Sequence, residues 1–160
     1  MRTRRPVNPD RKRRSGHYLI EFGIGAAVMV FLFAGTFQFG YSLYQYNLLK
    51  NAVNDAAAYA ALKAYDSSSC TPSDAFKDAV KKMAVYGNPA GGTESIARNL
   101  ATTNVDLTVG WSNTCGVAGG LPISMTVSVN SFTIQAIFAN FTLTGKPAVT
   151  YPYTGVYSPF

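Results

Sequence analysis

Histidine is nearly absent from this chain. Its single copy, His17, stands at the head of a long apolar run, and no later position carries another. That excludes a Ser-His-Asp set and any histidine-rich metal site downstream. Cysteine is almost as scarce. Cys70 and Cys115 are the two present, and two thiols with one distant imidazole do not make a four-ligand zinc site. A Walker-type phosphate loop is also missing, because Gly119-Gly120 leads into a strand-like run. No pair of carboxylates marks a reaction centre. Asp74 and Asp78 are spaced four apart among Lys77, Lys81 and Lys82, the pattern of a solvated helix face. The expectation is a protein that is not an enzyme, with no catalytic residue, cofactor or bound metal.

Charge is sparse as well. Charged residues make up 14% of the chain against 13% aromatics, a balance that suits a membrane-attached protein. The formal charge of +6 would hint at nucleic acid, but its placement removes the hint. Residues 1–16 hold seven basic groups and one acid, and so carry all of the excess, while residues 17–160 are neutral. A nucleic-acid binder needs its cations on the folded surface, beside the phosphates. No nucleic-acid partner is expected.

Most telling is a gap: no charged residue occurs between Phe22 and Leu49. Arg11, Lys12, Arg13 and Arg14 precede this stretch, and Glu21 stands at its lip. Residues 1–16 read as a disordered basic leader. Pro6 and Pro9 discourage a helix, and there is no apolar face to bury. Such a cluster is retained on the cytoplasmic side of a membrane. Residues 22–39 at about 1.5 Å per residue span roughly 27 Å, close to the hydrocarbon thickness of a bilayer. The run is longer than the apolar core of an ordinary signal peptide and has no small-x-small site at its far end, which favours an anchor. A transmembrane helix is therefore expected over residues 17–40.

The helical pattern continues beyond the membrane. Tyr41, Tyr44, Leu48, Ala52, Ala56 and Tyr59 recur at spacings of three and four, with no Pro or Gly from Tyr41 to Tyr65. One helix is expected from about Tyr18 to Tyr65, its exported part covering residues 41–66, with Gln45, Asn47, Asn51, Asn54 and Asp55 away from the packed face. Residues 67–160 read as an outer α+β domain. Thr71 as N-cap and Pro72 at the first helical position start a short helix that buries Ala75, Phe76, Ala79, Val80 and Met83 and ends at Gly87-Asn88-Pro89. Residues 94–99 suggest one more helical turn. Val105, Leu107 and Val109 alternate with polar residues, as do Ile123, Met125, Val127 and Val129, giving two strands with a loop at 113–120. Residues 132–138 suit a short helix or apolar loop, and strands follow at 141–144 and 148–153. The expected fold is α+β and pilin-like: a long N-terminal helix, a second short helix and a small antiparallel β-sheet.

Glu21 has two readings from the residues alone. A carboxylate inside hydrocarbon costs a few kcal/mol and is usually functional, whereas one near the lip reaches interfacial water. Cys70 and Cys115 likewise form either a disulfide, worth about 4 kcal/mol in the chain-entropy model, or two free thiols.

A basic leader, Gly16, then Tyr18-Leu19-Ile20-Glu21-Phe22 opening an apolar helix, resembles the processing site of type IV prepilins and Tad pseudopilins. The likeness continues through Phe39-Gly40-Tyr41-Ser42-Leu43-Tyr44 and Asn51-Ala52-Val53-Asn54-Asp55-Ala56-Ala57-Ala58-Tyr59-Ala60. These stretches are similar to the TadE/TadG family of pilus-assembly proteins. The resemblance implies cleavage by a prepilin peptidase between Gly16 and His17. It implies that Glu21, now fifth in the mature chain, pairs with the freed α-amino group of a neighbouring subunit. Phe22 stands where the major pilin of these systems has tyrosine, and His17 is not the usual aromatic or small first residue. The implied partners are the peptidase, other Tad pilins and pseudopilins, the inner-membrane assembly platform and the lipid bilayer. The implied role is that of a minor pilin or pseudopilin in a bacterial inner membrane, with its N-terminus cytoplasmic. An uncleaved single-pass anchor whose outer domain binds a partner or an envelope component is the alternative. An exported enzyme on a signal anchor is a third reading.

Overall fold

The computed structural model describes residues 9–67, 70–114, 120–135 and 140–157, with side chains from residue 16 onward. The chain divides into two compact units, Met1–Gly40 and Tyr41–Phe160. Helix α1 (Pro9–Leu62) contributes to both.

In the first unit the described residues are all helical. The helix begins at Pro9, so the expectation of a disordered leader is corrected for residues 9–16, and residues 1–8 lie outside the described ones. Proline is tolerated at the first helical position because its missing N–H would have no intrahelical partner there. Among the described residues, Gly16–Leu62 is the one stretch of helix long and apolar enough to cross a membrane. Its apolar side chains stand open: Phe22 is 75% exposed and Leu19 and Phe33 are 72% exposed. Such a surface is far larger than soluble monomers tolerate and is satisfied in hydrocarbon, where an α-helix keeps its backbone bonds internal.

In the second unit α1 turns a small-residue face to the core: Leu49, Ala52, Val53, Ala56, Ala57, Ala60 and Ala61. The expected stripe through Tyr44 is corrected, because Tyr44 is exposed and Leu48 and Tyr59 are half-buried. The alanines line the centre of the packed face, since they allow close approach, and Tyr46 and Tyr59 pack along its margin. Gln45, expected on the polar side, is buried, and its Nε2 donates to the Tyr41 hydroxyl at 3.3 Å.

The helix ends at Leu62 rather than near Tyr65, because another segment takes its free carbonyls. The backbone N–H groups of Thr154 and Gly155 donate to Ala61 O at 3.0 and 2.9 Å. The Tyr153 hydroxyl donates to Lys63 O at 3.0 Å. These groups satisfy orphan carbonyls that a helix C-terminus otherwise leaves to water.

Helix α2 (Asp74–Tyr86) is capped by Ser73, not by Thr71. The Ser73 hydroxyl accepts from Phe76 N at 3.1 Å and donates to Asp66 Oδ2 at 2.5 Å, so Asp66 fixes which residue caps. Its buried face is Phe76, Val80, Ala84 and Val85; Ala75 is exposed, and Ala79 and Met83 are half-buried. Gly87, at φ 70°, ends the helix with its N–H on Met83 O. The expected helical turn at 94–99 is replaced by a single non-helical turn at its end, where Leu100 N donates to Ala97 O at 3.0 Å. Ile96 N donates to Val85 O at 2.7 Å and Asn99 adopts φ 66°, which stops a helix; a 3-10 turn follows at Thr102–Asn104.

Strand β2 (Pro122–Val129) is the centre of an antiparallel sheet, between β1 (Val105–Trp111) and β5 (Ala148–Pro152). Met125, Val127 and Val129 are fully buried, while Ile123 is 51% exposed. The pairing slips between Gly110 and Trp111, so that Trp111 faces Pro122 and Ile123 turns outward. Strands β3 (Phe132–Gln135) and β4 (Asn140–Leu143) form a separate hairpin sheet, which corrects the helix-or-loop reading of 132–135; residues 136–139 lie outside the described ones. Phe132 and Ile134 point inward, and the Thr133 and Thr142 hydroxyls pair at 3.1 Å on the wet side. Asn104 holds the connecting turn, its Nδ2 donating to the carbonyls of Asn130 (3.4 Å) and Ser131 (3.1 Å), the latter at φ 54°. The expected α+β layout is observed, with two antiparallel sheets in place of one.

Candidate functional site

Gly16 and His17 lie inside α1, and both are exposed. A Cβ built at Gly16 would meet nothing within 4 Å. Packing among the described residues therefore gives no reason for glycine there. Glu21, one helical turn beyond His17, is exposed and has no ion-pair partner among the described residues; Phe22 follows it, also exposed. Gly16, His17, Glu21 and Phe22 are thus gathered on one short, accessible stretch of helix. Nothing within the described chain neutralises the Glu21 carboxylate.

The cysteines are placed less completely. Cys70 is exposed. Cys115, its expected partner, lies outside the described residues.

A second constellation was not anticipated. Tyr65, only 4% exposed, is ringed by Phe76, Trp111, Tyr153 and Tyr157, with ring centroids 6.2, 5.7, 6.5 and 5.5 Å away. Its backbone N–H donates to Val156 O at 3.0 Å and to the Tyr153 hydroxyl at 2.9 Å. The C-terminal segment thereby holds the end of α1. Gly155 allows this, for a Cβ there would lie 2.5 Å from Lys63 O. The tyrosine-rich 151–157 stretch was the available signal, but it reads as a strand end until its partner is known.

Burial, then the neighbouring Tyr157, Asp66 and Tyr153, pushes the Tyr65 phenol up from 10.0 to about 12. A phenol harder to ionise when folded stabilises the fold fully below the unfolded pKa, and that contribution is lost as pH rises through the folded one. Stability is expected to hold below pH 10.0 and to fall towards about pH 12. Melts followed by the fluorescence of Trp111 check this, and Tyr65→Phe should flatten the decline.

Residues 16–58 match the family model described as TadE-like protein. Over those residues the chain is TadE-like. The match supports assignment to the TadE/TadG-like family of Tad pilus proteins. No curated protein and no solved structure gives a match. The TadE-like segment begins at Gly16 and takes in Glu21, the whole exposed apolar run and most of the alanine face. It thus contains every residue of the candidate site except the cysteines. An apolar N-terminal helix of this kind fits a membrane-anchored pilus protein.

Proposed function

We propose that this protein is a minor pilin or pseudopilin of a Tad-type pilus system, with a structural and non-enzymatic role in initiating or supporting fibre assembly, and so surface adhesion. One observation carries the reading: the TadE-like match opens at an accessible Gly16, with Glu21, unpaired among the described residues, and an uncovered apolar helix directly behind it. On this reading the basic leader stays in the cytoplasm. Residues 17–40 cross the inner membrane, and the α+β domain lies outside. A prepilin peptidase cuts between Gly16 and His17, and the new α-amino group becomes the partner of Glu21 in a neighbouring subunit. Two opposite charges paired out of water tolerate a burial that either alone does not. Other Tad pilins and the inner-membrane assembly platform complete the set of partners.

Replacement of Gly16 by alanine or leucine tests the reading. The expected result is unprocessed protein in the membrane fraction and loss of pili. Normal piliation by unprocessed protein would sink it. The competing reading, an uncleaved anchor with a partner-binding outer domain, draws on the unbroken run of α1 from Pro9 through Gly16 and His17. It predicts that the leader is retained in the native host.

The same topology puts Cys70 and Cys115 in an oxidising compartment, where we pair them. Cys70→Ser is expected to lower stability by up to about 4 kcal/mol. Intact mass with and without reductant should show the two-proton difference of one intramolecular bridge, and free thiols in the untreated protein would contradict the pairing.

A further inference from the structure

Along the packed face of α1 in the second unit, Gln45 breaks the apolar pattern. It stands one helical turn before Leu49, in line with Ala52, Val53 and Ala56, and is only 8% exposed. Its amide makes one bond among the described residues, from Nε2 to the Tyr41 hydroxyl at 3.3 Å. Burying an amide with most of its hydrogen-bonding capacity unused costs stability unless something else meets it. Yet no sealed side-chain N or O atom lacks a partner among the described residues. The unused part of the Gln45 amide is therefore open to a visitor.

Gln45 lines a cavity of about 30 Å³ together with Tyr41, with Arg98 and Asn99 on a loop, and with strand β3. All of these belong to the second unit. The space admits about two water-sized atoms. Arg98 and Asn99 are exposed, so the cavity is reached from solvent on their side. Its lining is rich in donors. The Gln45 amide and the Tyr41 hydroxyl satisfy each other once and leave two hydrogens over, whichever way the amide is turned. Arg98 adds its guanidinium fork and has no ion-pair or hydrogen-bond partner among the described residues. It is the one charged residue among the described ones that line the cavity. A water molecule fits the space but leaves that cation unmatched. Phosphate brings four oxygens and exceeds the room. A carboxylate is planar, acceptor-only and two-oxygened, the shape a guanidinium takes through parallel N–H bonds.

We propose that this cavity binds a carboxylate group, seated on Arg98 and on the Tyr41–Gln45 pair. The group arrives as a small free anion or on an acidic side chain of an extended partner segment. β3 is an edge strand, and its backbone has no partner on the side away from β4 among the described residues, which suits such a segment. The proposal asks nothing of the cut at Gly16, so a retained leader leaves it standing.

The test uses the full chain in detergent micelles, labelled with nitrogen-15, and follows the Gln45 amide and Arg98 guanidinium signals by NMR. The probes are sodium formate and sodium acetate, against sodium chloride at equal ionic strength. The expected result is saturable movement of both signals by the two carboxylates, half complete at about 1–10 mM, the range open to so small a ligand. Chloride should give no saturable movement. Arg98→Gln should raise the half-saturation point at least about tenfold, and its exposed position spares the fold. Gln45→Met should weaken binding about fivefold while the melting temperature holds or rises, since it removes a half-satisfied amide and keeps the volume. A purely structural Gln45 would show the reverse, a lower melting temperature with binding intact. Two capped tripeptides, Val-Glu-Val and Val-Gln-Val, separate the sources. Tighter binding of the glutamate peptide than of acetate, with movement of the β3 amides, assigns the site to a protein partner, and binding no tighter than acetate assigns it to a free anion. No saturable shift with any carboxylate, an equal response to chloride, or an Arg98→Gln variant that behaves as the parent would each overturn the proposal.

Discussion

Glu21→Ala is expected to leave the protein in the membrane and to abolish its entry into assembled fibres. The two halves of that result have separate physical causes. A carboxylate at the centre of a membrane helix costs about 2.5–3.5 kcal/mol on insertion scales, and less near the end. Removing it makes insertion no harder, so the amount of anchored protein should hold or rise. Assembly is another matter. Glu21 is exposed on α1 with no partner in its own chain among the described residues, so its proposed partner is the α-amino group of a second mature subunit. Without the carboxylate that amine is left to enter the bundle unpaired, and losing one partner of a buried pair costs about 3–5 kcal/mol. The measurement is the ratio of sheared-fibre protein to membrane protein, expected to drop to background in the variant. Fibres at the parental level would show that Glu21 only touches interfacial water.

Phe76→Ala is expected to destabilise the outer domain by about 3–5 kcal/mol, the range for emptying a fully buried aromatic site. Phe76 is 0% exposed and joins three parts of the fold. Its amide takes the Ser73 cap that starts α2. Its ring packs 6.2 Å from Tyr65, within the cluster that closes the end of α1. The Lys63 ammonium lies over the same ring, 5.3 Å from its centroid. Neighbours fixed by backbone bonds, such as Tyr65 on Val156 O, are poorly free to collapse into the space, which puts the loss towards the top of that range. Phe76→Leu keeps most of the volume and should lose less than about 1.5 kcal/mol. Denaturant unfolding read by Trp111, the single tryptophan, separates the two. Equal loss from both would assign the effect to the ring and its lysine contact instead of to volume.

Much of this fold was legible because local signals agreed with one another. The charge-free run, the Gly87 stop and the alternation at Met125, Val127 and Val129 each name their element without help from afar. Most of the misreadings share a cause: a residue outside the element made the decision. Asp66 selects Ser73 over Thr71 as the cap. Thr154 and Gly155 end α1 before Tyr65. The register slip at Gly110 turns Ile123 outward. Asn104 turns the chain at Ser131 and so lets Phe132 and Ile134 begin a strand. None of these contacts leaves a periodic trace. The α1 stripe was read correctly at Ala52 and Ala56 and missed at Tyr44, which is exposed. In the candidate site the pattern around Gly16 and Glu21 is wholly local and therefore readable. The Tyr65 cluster exists only once segments far apart in sequence are brought beside the end of the helix.

The most direct measurement of the central proposal is the N-terminal sequence and intact mass of the protein extracted from its native membrane. The expected result is a mature chain beginning at His17, anchored by the helix that follows and retaining Glu21 as its fifth residue. A membrane-bound chain that still begins with the arginine-rich leader, in cells that make pili normally, would contradict it.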